Sequence, residues 1–200
     1  MGKKKTLLLL VVLFAGLLAG AGILYRNLGS EALPEQLATQ PPESAVQTTE
    51  PEETLPQETE APLAPDFTVY DREGNPVRLQ DYFGKPIVLN FWASWCGPCK
   101  MEMPDFNEKY LELKGEVHFL MINMTDGSRE TVETASDFIA EQGYVFPVFF
   151  DTTYDAARTY GAYSLPTTFF IDGEGHPIAQ ATGAIDAATL QRGIDMIYKP

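Results

Sequence analysis

The 200-residue sequence contains only two cysteines and two histidines, and it is short of basic residues. The histidines are 58 positions apart and lack the spacing of zinc-finger ligands. Lysine and arginine total 14 against 28 acidic residues, and a net charge of −14 argues against nucleic-acid binding, which requires a basic surface. Flavin, nicotinamide and metal-binding signatures are also lacking, so we expect no cofactor, and electrons for any redox reaction must come from another protein.

Charged residues are missing from an 18-residue apolar stretch at residues 7–24. With one residue added at each end it would form a helix about 30 Å long, enough to cross a membrane. Three lysines at positions 3–5 favour a cytoplasmic N-terminus. A cleaved signal peptide is the alternative, because Ala19-Gly20-Ala21 resembles a cleavage site, whereas a lipoprotein is excluded because no cysteine follows the stretch. We expect residues 1–29 to form a basic tip and a single-pass signal-anchor in the cell membrane, with the rest of the chain on the extracytoplasmic side.

Aromatic residues are missing from residues 30–63, and residues 31–66 contain nine acids and no base. A segment of this composition cannot bury enough apolar surface to offset its chain entropy. We therefore expect residues 30–63 to be a disordered acidic tether, rich in Pro, Glu and Thr, that spaces a folded domain at residues 64–200 from the membrane.

The two cysteines lie three positions apart, between an apolar run and a helical pattern. Ile87–Trp92 is short and rich in β-branched and aromatic residues, which predicts a buried strand. Apolar residues then recur at helical spacing. Cys96 is therefore predicted at the start of a helix, where free N–H groups and the helix dipole stabilise a thiolate and lower its pKa. Cys99, one turn further along, can resolve a mixed disulfide formed at Cys96. The apolar helical positions are Met103, Phe106, Tyr110 and Leu113.

Zinc binding and a purely structural disulfide are the other interpretations of this pair. Zinc requires four ligands, and a disulfide that closes so small a loop stabilises a fold very little. A C-x-x-C pair at a strand–helix junction favours dithiol exchange. Pro98 fits the first helical turn, and Gly97 leaves room for a partner chain to approach an exposed Cys96 sulfur.

The pattern of the remaining domain predicts strands that alternate with helices. Two hairpins turn near Gly74 and Gly173–Gly175, and helices are expected from Ser128 to Gly143, from Tyr154 to Gly161 and near the C-terminus. Such an order predicts an α/β sandwich around a mixed sheet.

The segment Phe91–Lys100, with the sequence FWASWCGPCK, resembles the active-site motif of the thioredoxin superfamily. Ala64–Phe67 and Glu102–Pro104 resemble the membrane-anchored, extracytoplasmic TlpA/ResA-like branch, and the resemblance covers about residues 63–200. It implies a thioredoxin-like three-layer α/β/α sandwich with a mixed central sheet, an N-terminal β-hairpin and a central strand–helix insertion.

The resemblance also implies roles for residues outside the cysteine pair. Pro166 is expected to follow a cis peptide bond and to lie against the sulfurs, while the backbone of Leu165 is expected to hydrogen-bond an extended client segment. Trp95, next to the first cysteine, is expected in an exposed apolar rim that clients contact.

Glu102 matches a functional acid of ResA-like proteins. Many thioredoxins carry a buried aspartate where this sequence has Asn90, and an amide cannot titrate. We therefore expect Glu102 to move a proton to or from Cys99.

Taken together, these features predict a protein-disulfide reductase that acts by dithiol exchange on exported proteins, such as apocytochrome c. The resemblance implies a membrane thiol-transfer protein of the CcdA/DsbD type as electron donor. A thiol oxidase is one alternative. A peroxiredoxin-like antioxidant is another, disfavoured because the Thr-x-x-Cys motif is lacking, and a surface-tethered binding module is the non-enzymatic alternative.

Overall fold

The computed structural model describes residues 37–38 and 61–199. The predicted transmembrane segment lies outside these residues, and none of the helices within them is both long and apolar enough to span a bilayer. Residues 37–38 were expected in the unstructured tether, but they form a short edge strand. The rest of the tether lies outside the described residues.

The described part of the chain folds around one eight-stranded mixed sheet with the strand order β1-β8-β7-β4-β5-β6-β2-β3. The central strand β4 pairs in parallel with β5 and antiparallel with β7. The predicted N-terminal hairpin is β2–β3, and the second hairpin is β7–β8. The elements in chain order are β1 (Leu37–Ala38), β2 (Thr68–Tyr70), β3 (Pro76–Arg78), a 3-10 helix (Leu79–Tyr82), β4 (Ile87–Trp92), α1 (Gly97–Leu113), β5 (His118–Asn123), α2 (Val132–Gln142), β6 (Val148–Phe150), α3 (Asp155–Tyr160), β7 (Thr167–Ile171), β8 (Pro177–Thr182) and α4 (Ala187–Ile197).

All six residues of β4 are buried, because both faces of the sheet are covered. Val88 and Trp92 belong to a core cluster shared with α1 and α4. Leu89 and Phe91, which alternate with them, belong to a second cluster shared with the N-terminal hairpin. The thioredoxin-like α/β/α sandwich predicted from the sequence is thus confirmed.

Helix α4 approaches the sheet closely at Gly193. A Cβ atom added there would lie 2.2 Å from the ring of Phe170, so the helix can pack at this distance only with glycine at that position.

The second helix begins later than predicted. Its N-cap is Thr131, whose side chain accepts from the Thr134 N–H in a capping box. Ser128 and Glu130 stay in the preceding loop because their N–H groups donate to the side chain of Asp126. The helix ends as predicted at Gly143, which has a φ of 70°.

Candidate active site

The cysteine pair lies where β4 passes into α1. Cys96 is the N-cap of the helix, and it forms a disulfide with Cys99, with the two Cα atoms 5.3 Å apart. Gly97 and Pro98 occupy the first helical positions, where proline removes no helical hydrogen bond. The strand–helix junction predicted from the sequence is therefore present.

The first turn of α1 provides a donor for the Cys96 sulfur. The backbone N–H of Cys99 donates to Sγ of Cys96 at 3.2 Å. This N–H and the positive end of the helix dipole favour a negative charge on that sulfur once the disulfide is reduced. The geometry therefore suits Cys96 to act as a thiolate nucleophile.

The two cysteines differ in their access to solvent. Cys99 is fully buried, and Cys96 retains only 4% of its accessible surface. The Cys96 side chain is therefore much less exposed than expected, because it packs into the core cluster that includes Trp92. Of the two residues, Cys96 is the one that lines an open groove, so a client would meet it first.

The groove beside Cys96 has a volume of about 360 Å³. Four residues expected to contact clients line it: Trp95, Gly97, Pro98 and Leu165. Trp95 is 41% exposed, as expected for a rim residue. Sequence reasoning missed the rest of the lining, which is made of Met124, Asp126, Tyr154, Ala162 and Tyr163.

The peptide bond between Leu165 and Pro166 is cis, as predicted. Pro166 itself is buried and does not line the groove, whereas Leu165 does. Within residues 61–199, the N–H and carbonyl of Leu165 have no hydrogen-bond partner. Both groups therefore remain available to an extended chain.

Glu102 is buried on the inner side of α1. Its Oε1 accepts from the Asn90 side-chain amide at 2.9 Å, and its Oε2 accepts from the Ile185 N–H at 3.0 Å. Burial raises the pKa of Glu102 to about 7, although these two hydrogen bonds act in the opposite direction. A carboxyl group that titrates near neutral pH is suited to accept and return a proton.

Asn90 connects Glu102 to the rest of the site. Its side-chain nitrogen also donates to Thr168 Oγ1 at 3.0 Å, so one amide joins β4, α1 and β7. The amide thus occupies the buried position where many thioredoxins carry an aspartate, and the carboxyl group is supplied by the neighbouring helix.

Tyr154 and Tyr163 carried little sequence signal because they are distant from the cysteine motif. Tyr154 has a φ of 58°, in the left-handed region that tyrosine rarely adopts, and side-chain pattern does not reveal such a conformation. Tyr163 is 77% exposed. In the sequence, its place near the site was indicated only by its position shortly before Leu165-Pro166.

A mixed sheet whose central strand leads into a helix-capping cysteine pair, next to a cis-proline loop, defines a thioredoxin-like thiol–disulfide exchange protein. The chain belongs to the AhpC/TSA family, whose model matches residues 62–177, and to the ResA-type thiol–disulfide oxidoreductases within the thioredoxin-like proteins.

Relatives with known names and structures agree with this assignment. The thiol–disulfide oxidoreductase ResA of Geobacillus thermodenitrificans is 37% identical over 135 residues, which cover 67% of this chain and 75% of the relative. A crystal structure of a DsbE-type thiol:disulfide interchange protein from Chlorobium tepidum matches with a TM-score of 0.60 and 32% identity, covering 67% of this chain and 94% of that one. The exposed lipoprotein thioredoxin of Streptococcus pneumoniae matches with a TM-score of 0.55 and 30% identity, covering 66% and 98%. The chain is therefore a thiol–disulfide oxidoreductase.

Proposed function

We propose that this chain reduces disulfides of exported proteins on the outer side of the cell membrane. The observation that carries the proposal is the difference between the two sulfurs. Cys96 lines a groove at a helix N-terminus, whereas its partner Cys99 is fully buried one turn away. A nucleophile that lines a groove and a resolving thiol behind it are the two groups that dithiol exchange requires.

The reaction begins with the reduced dithiol. The Cys96 thiolate attacks one sulfur of the client disulfide, forms a mixed disulfide and releases the other client sulfur as a thiolate. Cys99 then loses its proton to Glu102 and attacks Sγ of Cys96, which releases the second client sulfur. The client gains two electrons, and the Cys96–Cys99 disulfide is restored.

Client binding is assigned to the groove and to the Leu165 backbone. Trp95, Gly97 and Pro98 contact the client segment next to its disulfide. The free N–H and carbonyl of Leu165 pair with that segment as an additional strand would. Pro166 supports this arrangement from beneath the groove.

The N-terminal part of the chain completes the proposal. Residues 1–29 anchor the protein as a single-pass segment, residues 30–63 tether it apart from the short strand at residues 37–38, and residues 64–200 carry the activity. Similarity to an exposed lipoprotein thioredoxin supports an extracytoplasmic location. As electron donor we propose a membrane thiol-transfer protein of the CcdA/DsbD type, and as client class the cysteines of apocytochrome c.

The direct test is insulin reduction by the domain of residues 36–200, which includes β1, with dithiothreitol as electron source. We expect the native domain to accelerate insulin reduction over dithiothreitol alone and Cys96→Ser not to do so. Pre-reduced Cys99→Ser, freed of dithiothreitol before it is mixed with insulin, should form a trapped mixed disulfide. If Cys96→Ser reduces insulin as fast as the native domain, the assignment of the nucleophile is wrong.

An oxidase role is the alternative direction for the same chemistry. The Gly-Pro pair between the cysteines resembles that of reducing thioredoxins. A reduction potential near that of thioredoxin, about −270 mV, would support the reductase, whereas a value near about −120 mV would support an oxidase.

A further inference from the structure

The loop between β5 and α2 holds the segment that leads into the active-site cysteine. Glu130 lies in this loop and is fully buried. One of its oxygens, Oε1, accepts from the Ser94 N–H at 2.7 Å and from the Asn123 side-chain amide at 2.6 Å. The other oxygen, Oε2, accepts from the Ser94 hydroxyl at 2.6 Å. The Glu130 carboxylate thus connects Ser94, which follows β4 and lies two residues before Cys96, to Asn123 at the end of β5.

The donors around Glu130 are all neutral, and within residues 61–199 it forms no ion pair. Burying a carboxylate without a cation is costly unless hydrogen bonds satisfy it. Three short hydrogen bonds satisfy this group, and the two that Ser94 donates indicate that the position of Ser94 is tightly specified.

The same loop also contacts Trp95. The guanidinium of Arg129 lies over the Trp95 ring, 4.0 Å from its centroid. Trp95 lines the groove, but Arg129 does not. The cation therefore supports the ring from outside the groove, and the ring forms a wall whose inner side is free for a client.

Asp126 makes the loop itself rigid. Its Oδ1 accepts from the N–H groups of Ser128 at 2.7 Å and of Glu130 at 3.0 Å. Thr125 donates to the Asn123 side chain at 2.8 Å. The loop therefore holds both Glu130, which contacts Ser94, and Arg129, which contacts Trp95, in place.

We propose that Glu130 and Arg129 are positioning residues for client binding. Glu130 fixes Ser94, Arg129 holds the adjacent Trp95 ring, and together they preform one wall of the groove beside Cys96. This inference rests on the proposed reduction of protein disulfides, because a small disulfide would not need the Trp95 wall.

The test compares two substrates: insulin in steady state with dithiothreitol, and the small disulfide 5,5′-dithiobis(2-nitrobenzoate) in a single turnover of the pre-reduced domain after dithiothreitol has been removed. The Arg129 side chain is exposed, so Arg129→Ala should not disturb the fold. We expect the KM for insulin to rise about threefold to fivefold with kcat unchanged, because the Trp95 ring would lose the cation that holds it against the client. The rate with the small disulfide should stay within about twofold of native. An unchanged KM for insulin would overturn the role of Arg129.

Glu130 is tested with a conservative and a disruptive variant. Glu130→Gln can keep all three contacts, because its amide oxygen accepts from Ser94 N–H and Asn123, and its amide nitrogen donates to the Ser94 hydroxyl. We expect a KM for insulin close to native for Glu130→Gln and about fivefold to tenfold higher for Ser94→Gly and Glu130→Ala.

Glu141→Ala, at an exposed position near the end of α2, is the matched control and should behave as native. A KM for Glu130→Gln as high as that of Ser94→Gly would overturn the positioning role, and so would native KM values for both Ser94→Gly and Glu130→Ala. If Glu130→Ala does not fold, Ser94→Gly and Glu130→Gln decide the matter. Failure of the native domain to reduce either substrate would instead refute the proposed function.

Discussion

Replacing Glu102 with glutamine should change how the stability of the oxidised protein depends on pH. The pKa of Glu102 is about 7 in the folded protein, against 4.5 for an unperturbed glutamate, because burial disfavours its charged form. Between these two pH values the native state binds more protons at this residue than the unfolded state does. The contribution of Glu102 to stability therefore falls as pH rises from 4.5 to about 7, and it is constant above that.

The size of this change follows from the shift. About 2.5 pK units at 1.36 kcal/mol each give a loss of roughly 3 kcal/mol between pH 4.5 and pH 8. Glu102→Gln cannot titrate, so this dependence disappears. The variant also loses one hydrogen bond, because its amide nitrogen cannot accept from either Asn90 or Ile185, and the unsatisfied donor costs about 1–3 kcal/mol at every pH.

Chemical denaturation of both proteins at several pH values between 4.5 and 8 provides the assay. The disulfide should be kept intact, so that the cysteines do not titrate. We expect the variant to be less stable than the native protein at pH 4.5, with a difference that shifts in its favour by roughly 3 kcal/mol by pH 8. Glu108→Gln, exposed on the same helix, is the control and should show no such change. A stability difference for Glu102→Gln that does not vary with pH would refute the reasoning.

Other variants test the catalytic step, the groove and the packing. In the reduced protein, Glu102→Gln should slow release of the client from the mixed disulfide, measured by stopped-flow, and an unchanged rate would remove Glu102 from the mechanism. Tyr163→Ala should leave stability within about 0.5 kcal/mol because the side chain is 77% exposed, while raising the KM for insulin; a native KM would exclude Tyr163 from the client surface. Gly193→Ala should lower the free energy of unfolding by about 1–3 kcal/mol, because its Cβ would lie 2.2 Å from Phe170, and a native midpoint in denaturant would contradict the close packing described for α4.

The fold and the position of the cysteine pair could be predicted from the sequence because both depend on local patterns. The apolar run of β4 and the helical spacing after Cys99 predicted the strand–helix junction without any tertiary information. The motif around Pro166 was equally informative, and its cis bond was predicted from resemblance.

The parts that sequence could not provide depend on contacts between distant segments. Glu130 was expected at a helix start, and its sequence context did not reveal that its side chain accepts a hydrogen bond from Ser94, 36 residues earlier. The stacking of Arg129 on Trp95 is of the same kind. Burial of Glu102 could not be foreseen either, since its partners Asn90 and Ile185 come from β4 and from the loop before α4.

The most direct measurement is the rate at which iodoacetamide alkylates Cys96 in the reduced Cys99→Ser variant as a function of pH. Because the helix N-terminus and the residue 99 N–H stabilise the thiolate, we predict an apparent pKa clearly below the value of about 8.5 for a free cysteine. An apparent pKa of about 8.5 or above would show that the helix does not activate this sulfur, and would contradict its role as the nucleophile.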